Sequence, residues 1–254
     1  MGFIYEPTGS ARSDAALALN IYHGCTHACS YCYAPSATFT KRDVFNTQVL
    51  PRANFLKELE KDAIKRFGRG EGGHVLMSFL NDPYQPAEME YGLTRKSIQI
   101  LHATNHSLVT LTKGGTRALR DIELFTPKDE FASTLTVTTD ELLQKWEPGA
   151  ASFADRCDAL KTFHAAGIPT WVSLEPVLYS KEVFKIIEKT HEYVGHYRIG
   201  RLNRNSHEKT VDWGQFAESV TSFCLKNGIP YFIKKELMPH LPAGIPDVYK
   251  CKRP

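Results

Sequence analysis

Three cysteines within eight residues, Cys25, Cys29 and Cys32, constrain this 254-residue chain more than any other feature. They stand in the stretch His-Gly-Cys-Thr-His-Ala-Cys-Ser-Tyr-Cys-Tyr-Ala-Pro, residues 23–35, at the spacing C-x3-C-x2-C. Thiolates this close can hold a soft metal centre, and three rather than four leave one coordination position open. An iron–sulfur cube bound this way keeps one iron without a protein ligand, free to bind and activate a small molecule. Zinc is the competing occupant, but a closed zinc site needs a fourth ligand and usually shows two separated pairs. His27, between two of the cysteines, is badly placed to be that ligand.

The rest of the chain reads as apolar strands alternating with amphipathic helices. Leu17, Leu19 and Ile21 alternate in a strand over residues 17–22, and the cysteine loop follows its C-terminal end. Helices are expected over 51–67, 94–104, 116–125, 153–166, 181–190 and 213–226. Further strands are expected over 74–80, 108–112, 131–138, 170–174 and 197–200. The run 231–233 is short and apolar, and the tail 239–254 reads as irregular. Strand-then-helix alternation argues for a parallel sheet with right-handed crossovers, curled into a barrel in a single domain whose core spans roughly residues 15–235. In such barrels chemistry gathers at the C-terminal ends of the strands. That rule selects the cysteine loop, residues 81–85, Lys113, residues 136–139, Glu175 and residues 201–203. Solvated loops are polar too, so each residue has a bland alternative.

The grouping Cys25, Cys29, Tyr31 and Cys32 resembles the signature of the radical S-adenosylmethionine (SAM) enzymes. The resemblance implies an α/β fold, a partial (β/α)6 TIM-like barrel open on one side. It also implies a [4Fe-4S] cluster on the three cysteines and SAM chelated at the open iron, with Tyr31 near the adenine. One electron from the cluster then cleaves SAM to methionine and a 5'-deoxyadenosyl radical, which abstracts hydrogen from a substrate. The electron comes from an external donor of flavodoxin or ferredoxin type. The segments Asp82-Pro-Tyr-Gln-Pro-Ala-Glu88, Thr112-Lys113-Gly114 and Ser173-Leu-Glu-Pro-Val177 are similar to the spore photoproduct lyase-like branch. That branch implies a thymine-derived or modified base in DNA as substrate; a small metabolite or peptide, or a non-catalytic zinc module, are the alternatives.

Where many members place Gly-Gly-Glu after the second strand, this chain has Phe79-Leu-Asn-Asp82, so Ser78, Asn81 or Asp82 is expected to meet the SAM amino group. Lys113 is a candidate partner for the methionyl carboxylate, or simply a solvated lysine before a Gly-Gly turn. Thr136 and Thr138 share one face and are candidates for the ribose or the carboxylate; Glu175 is a candidate for the nucleoside. Glu147 and Arg156 read as a structural pair. Tyr84 is a candidate at the substrate, and Cys251, in the basic segment 250–253, is the one remaining thiol with a thiolate-favouring neighbourhood. Cys157 and Cys224 read as packed core thiols. Arg198, Arg201, Arg204, Lys234, Lys235 and the 250–253 tail are candidates for a phosphate-binding rim.

The net charge of +3 is too small to signal nucleic-acid binding by itself. No apolar run approaches the roughly 20 residues that span a bilayer, so no membrane contact is expected. Clustered, unpaired cysteines suit a reducing cytoplasm, and no secretion signal is read at the N-terminus.

Overall fold

The computed structural model describes residues 2–8 and 12–250. Cys251 lies outside the described residues. Eight strands form one sheet: β1 (Leu17–Leu19), β2 (His74–Met77), β3 (Ser107–Thr112), β4 (Glu130–Thr134), β5 (Thr170–Val177), β6 (His196–Arg201), β7 (Tyr231–Ile233) and β8 (Val248–Tyr249). They lie side by side in chain order. The first seven run parallel, and β8 returns antiparallel to β7. All six expected strands form. The run 231–233 adds a seventh, and part of the tail expected to be irregular becomes β8.

Helices α1 (Phe55–Phe67), α2 (Leu93–Ala103), α4 (Phe153–Ala165), α5 (Ser180–Thr190) and α6 (Trp213–Lys226) fall where the apolar stripes put them; α3 (Asp140–Trp146) does not come from a stripe. Residues 115–124 coil more tightly, as a 3-10 helix. α1 starts later than expected because Pro51, with Leu50, pairs instead with Tyr22–His23. Seven residues are too few to show a helical period, so α3 left only a local sign: Thr139, whose hydroxyl accepts from Leu142 N at 3.4 Å and caps it.

Strand periodicity decides what faces the barrel interior. Ala18, Leu76, Val109, Ala132 and Trp171 cluster inside, in a register that sets Ala18 beside Leu76, Leu76 beside Val109 and Ala132 beside Trp171. Their neighbours along the strands, among them Leu19, Met77, Leu108, Phe131, Val172, Ile199 and Ile233, pack outward against the helices. Continuing the inward alternation reaches Ser78, Lys113 and Thr136 just past their strands and Glu175 near the end of β5.

Charge ties the β1 edge of the sheet to β6 and β7. Asp14, just before β1, pairs with Arg198 on β6 at 2.8 Å and with Lys234, just past β7, at 2.6 Å. Lys234 is 1% exposed and also lies 3.4 Å from Glu175. These two cations therefore belong to the barrel interior, a correction to their expected place on a phosphate rim. Arg201 turns toward Glu208, 3.7 Å away; Arg204 and Lys235 remain on the surface.

Candidate active site

The cysteine loop leaves the sheet at the end of β1, and the ribbon of Tyr22–His23 with Leu50–Pro51 closes its base. Gly24, at φ +84°, lets the chain turn under residues 45–48; a Cβ there would lie 2.3 Å from the Gln48 carbonyl. Cys25 N then donates to Phe45 O at 2.9 Å. Gln85 clamps the turn from the β2 side, its Oε1 accepting from Thr26 N at 3.1 Å and its Nε2 donating to Gly24 O at 3.3 Å. From the α3 side, Ser30 N donates to Trp146 O at 2.9 Å and Gly149 N to His27 O at 3.0 Å. Arg42 reaches back to the carbonyls of Cys29 at 3.2 Å and Cys32 at 2.7 Å.

His27 is 1% exposed and bonded at both ring nitrogens. Arg117 Nη2 lies 3.2 Å from its Nε2, and Asp82 Oδ2 lies 3.3 Å from its Nδ1. A guanidinium only donates, so Nε2 accepts and the Nδ1 N–H donates to Asp82. This is why His27 is not a fourth metal ligand. Asp82 also accepts from Tyr84 N, Thr112 Oγ1 and Lys113 N, at 2.8, 2.6 and 2.6 Å. Burial works against its charge, but His27 and these donors outweigh it and hold the carboxyl well below the usual range. Asp82 thus fastens the cysteine loop to the ends of β2 and β3.

Glu147 does the same from the far side. Its Oε1 accepts from the Tyr31 hydroxyl and, at 2.9 Å, from Thr136 Oγ1; its Oε2 lies 2.7 Å from Arg156 Nη1. Both members of the expected pair are buried. Burial opposes ionisation of Glu147, yet Arg156 and Lys113 keep its pKa below the ordinary value.

Lys113 Nζ stands 5.8 Å from the Tyr31 ring centroid. Burial disfavours its charge, but Cys29 and Glu147 more than offset that and raise its pKa. Among the described residues it makes no ion pair within 4 Å. Ser78 donates to Asn81 Oδ1 at 3.1 Å, and Asn81 donates to Tyr22 O at 3.0 Å. The cysteines, Tyr31, Asp82, Lys113 and Thr136 are thus brought together, with Ser78 and Asn81 beside the loop's base and Glu175 at the strand end beside Lys234.

Thr138 stands apart, its N and Oγ1 both donating to Glu182. Tyr84 is 1% exposed in the layer between sheet and helices, with Arg120 over its ring and Asp121 beside its hydroxyl. Cys157 and Cys224 are buried, as expected. Sequence reading missed Asn20 and Arg117 as supports, and selected Gln85 only as part of the 81–85 loop. Asn20, a lone amide in an apolar strand, was itself the available sign: it accepts from Phe79 N and Leu80 N at 3.3 and 3.0 Å.

The donor set fits an iron–sulfur cube. Cys25, Cys29 and Cys32 are free thiols in one loop, and their charges repel one another across it. Burial above all pushes Cys25 up and Cys29 up to about 12; Cys29 is buried, and Cys25 and Cys32 are partly exposed. Thr26 Oγ1 is buried there with no hydrogen-bond partner. Among the described residues no three His, Cys, Asp or Glu side chains converge as ligands of a single ion would; a cube does not need that convergence, because each thiolate binds a different iron.

The model of the radical SAM superfamily matches residues 19–194. The chain belongs to that superfamily. Members use a [4Fe-4S] cluster and SAM. The uncharacterized protein MJ0683 of Methanocaldococcus jannaschii is 30% identical over 193 residues, 74% of this chain and 71% of that one. The uncharacterized protein Rv2578c of Mycobacterium tuberculosis is 32% identical over 169 residues, and the match spans 63% of this chain but only 49% of that one. Among solved structures, a spore photoproduct lyase mutant with bound AdoMet and dinucleoside spore photoproduct superposes with TM-score 0.62 at 17% identity, covering 80% of this chain and 62% of the lyase. Streptococcus suis SuiB bound to S-adenosylmethionine gives TM-score 0.62 at 12% identity, over 85% of this chain and 49% of SuiB. These likenesses fix the partial-barrel fold. No described helix is long and apolar enough to cross a membrane.

Proposed function

We propose that this radical SAM protein holds its cluster on Cys25, Cys29 and Cys32, cleaves SAM reductively, and takes hydrogen from a thymine-derived or modified base in DNA. Loaded with cluster and SAM, the site supplies one electron to the sulfonium and so yields a 5'-deoxyadenosyl radical. The observation that carries the reading is Lys113. Its ammonium is held beside Cys29 and 5.8 Å from the Tyr31 ring centroid, with no carboxylate within 4 Å among the described residues, which suits it to the methionyl carboxylate. Tyr31, tied by its hydroxyl to Glu147, presents a fixed ring face for an adenine. Ser78, Thr136 and Glu175 lie at inward positions of the strand ends, where they can meet the polar parts of a nucleoside. Asp82 and Glu147 keep the cysteine loop in place on either side.

The substrate half rests on the likeness to the lyase bound to a dinucleoside photoproduct. A base in a duplex would have to be extruded to enter the barrel, with Arg201, Arg204 and Lys235 left to meet phosphate. A one-electron donor of flavodoxin or ferredoxin type and a reducing, cytoplasmic setting belong to the same reading. The charged interior built from Asp14, Arg198, Lys234 and Glu175 favours a second reading, a small charged metabolite or a peptide.

The test is anaerobic. Protein reconstituted with iron and sulfide is given SAM and dithionite, and 5'-deoxyadenosine is measured with thymine-containing oligonucleotides, with thymine-free ones, and with none. Thymine-containing DNA should raise the yield. Equal yields in all three refute the DNA substrate and leave SAM cleavage standing; a colourless, zinc-bearing protein that makes no deoxyadenosine refutes the whole reading.

A further inference from the structure

We infer that the surface presented by Phe39, Lys41 and Arg42 is where a small acidic one-electron carrier protein docks to reduce the cluster. The inference rests on the cluster being held by the three cysteines, and goes beyond it by placing the partner. Phe39 is 98% exposed, and its backbone is left-handed at φ 53°. A bulky side chain has neither a packing reason nor a backbone preference for that state. The turn is nonetheless tightly made: Phe39 N donates to Ser36 O at 3.3 Å, Thr40 N to Pro35 O at 2.9 Å, and Thr38 Oγ1 to Ala34 O at 2.8 Å. The aromatic ring is therefore displayed, not frayed.

Charge and position say what it is displayed to. From Gly24 to Arg42 the chain carries no carboxylate, and Lys41 and Arg42 are both exposed; Asp43 is the first acidic residue after them. Arg42 is also the side chain that bonds the carbonyls of Cys29 and Cys32. The patch is thus one side chain from the cluster loop, and electron transfer weakens steeply with distance. Interfaces between redox partners are small, and an aromatic centre rimmed by charge is enough to register them. Complementary charge speeds encounter more than it tightens binding, as a carrier that must leave after giving up its one electron requires. Phosphate would suit the same cations. A base, however, must enter the barrel interior, whereas Phe39's turn is fastened to the cluster loop.

The experiment compares two reductants on the reconstituted protein with SAM: a reduced acidic flavodoxin, and dithionite, which needs no docking surface. In Phe39→Ser/Lys41→Glu the flavodoxin-driven rate of deoxyadenosine formation should fall about tenfold or more at low salt. The dithionite-driven rate should stay within about twofold, and added salt should slow the unaltered protein but not the variant. The inference is overturned if the flavodoxin rate is unchanged, if both rates fall together, or if a loss emerges only when DNA is added, which would make the patch a nucleic-acid contact. Failure of the unaltered protein to make deoxyadenosine even with dithionite would instead remove the reading beneath it.

Discussion

Replacing Arg156 by methionine should be strongly destabilising while leaving every cysteine in place. Arg156 is 2% exposed, and Glu147, 2.7 Å away, is fully buried. The same guanidinium donates to Ala151 O at 2.8 Å and to Thr134 O at 2.9 Å, tying α4 to the end of β4. Methionine fills much of the volume but leaves a buried carboxylate without its cation. Losing one partner of such a pair costs about 3–5 kcal/mol. At 2–4 °C per kcal/mol for a chain of this size, a loss of about 4 kcal/mol lowers Tm by about 8–16 °C. Circular dichroism on the cluster-loaded protein reads that shift. The double variant Glu147→Gln/Arg156→Met separates the pair from its surroundings: with the charge gone, the arginine is missed less, and the double variant's loss should fall short of the sum of the two single losses by at least about 1 kcal/mol. A cost under about 1 kcal/mol for Arg156→Met, or strict additivity in the double variant, would refute the reasoning.

Three further outcomes follow from the same geometry. Lys113→Met should weaken SAM binding by about 10–100-fold, the worth of one charge-assisted contact, with iron and acid-labile sulfide unchanged; equilibrium dialysis checks it. Gly149→Ala should lower the iron bound per chain, because its Cβ would come within 2.1 Å of Thr26 O and push the cysteine loop away; metal analysis after reconstitution reads this directly. Asp82→Asn should flatten the acid side of the pH–stability curve. The Asp82 carboxyl is depressed in the folded state, so its contribution is fully present above the unfolded value near about 4 and is lost as pH falls through the folded one. Urea midpoints of the two proteins should differ at pH 7 and draw together in acid.

The parts of this molecule that are local in sequence were legible there. Alternating apolar residues marked β1 to β6, and the thiol spacing marked the loop. Tyr231–Ile233 was too short to tell from a packed loop until it was seen to pair with β6. What the sequence hid was the function of polar residues whose partners are far away. Tyr31 and Glu147 are 116 residues apart, and nothing in either neighbourhood reports the bond between them. Asp82 drew attention by following an apolar strand, which is true of a ligand and of an anchor alike; only its four donors distinguish them. Arg198 and Lys234 read as surface cations because lysine and arginine usually are. Their burial depends on Asp14, which arrives from the opposite edge of the sheet.

The most direct measurement is chromatographic detection of 5'-deoxyadenosine from anaerobically reconstituted protein incubated with SAM and dithionite, run beside Cys29→Ala. Three thiols leaving one iron open predict deoxyadenosine from the unaltered protein and none from the variant. Deoxyadenosine from neither, or equal amounts from both, would contradict it.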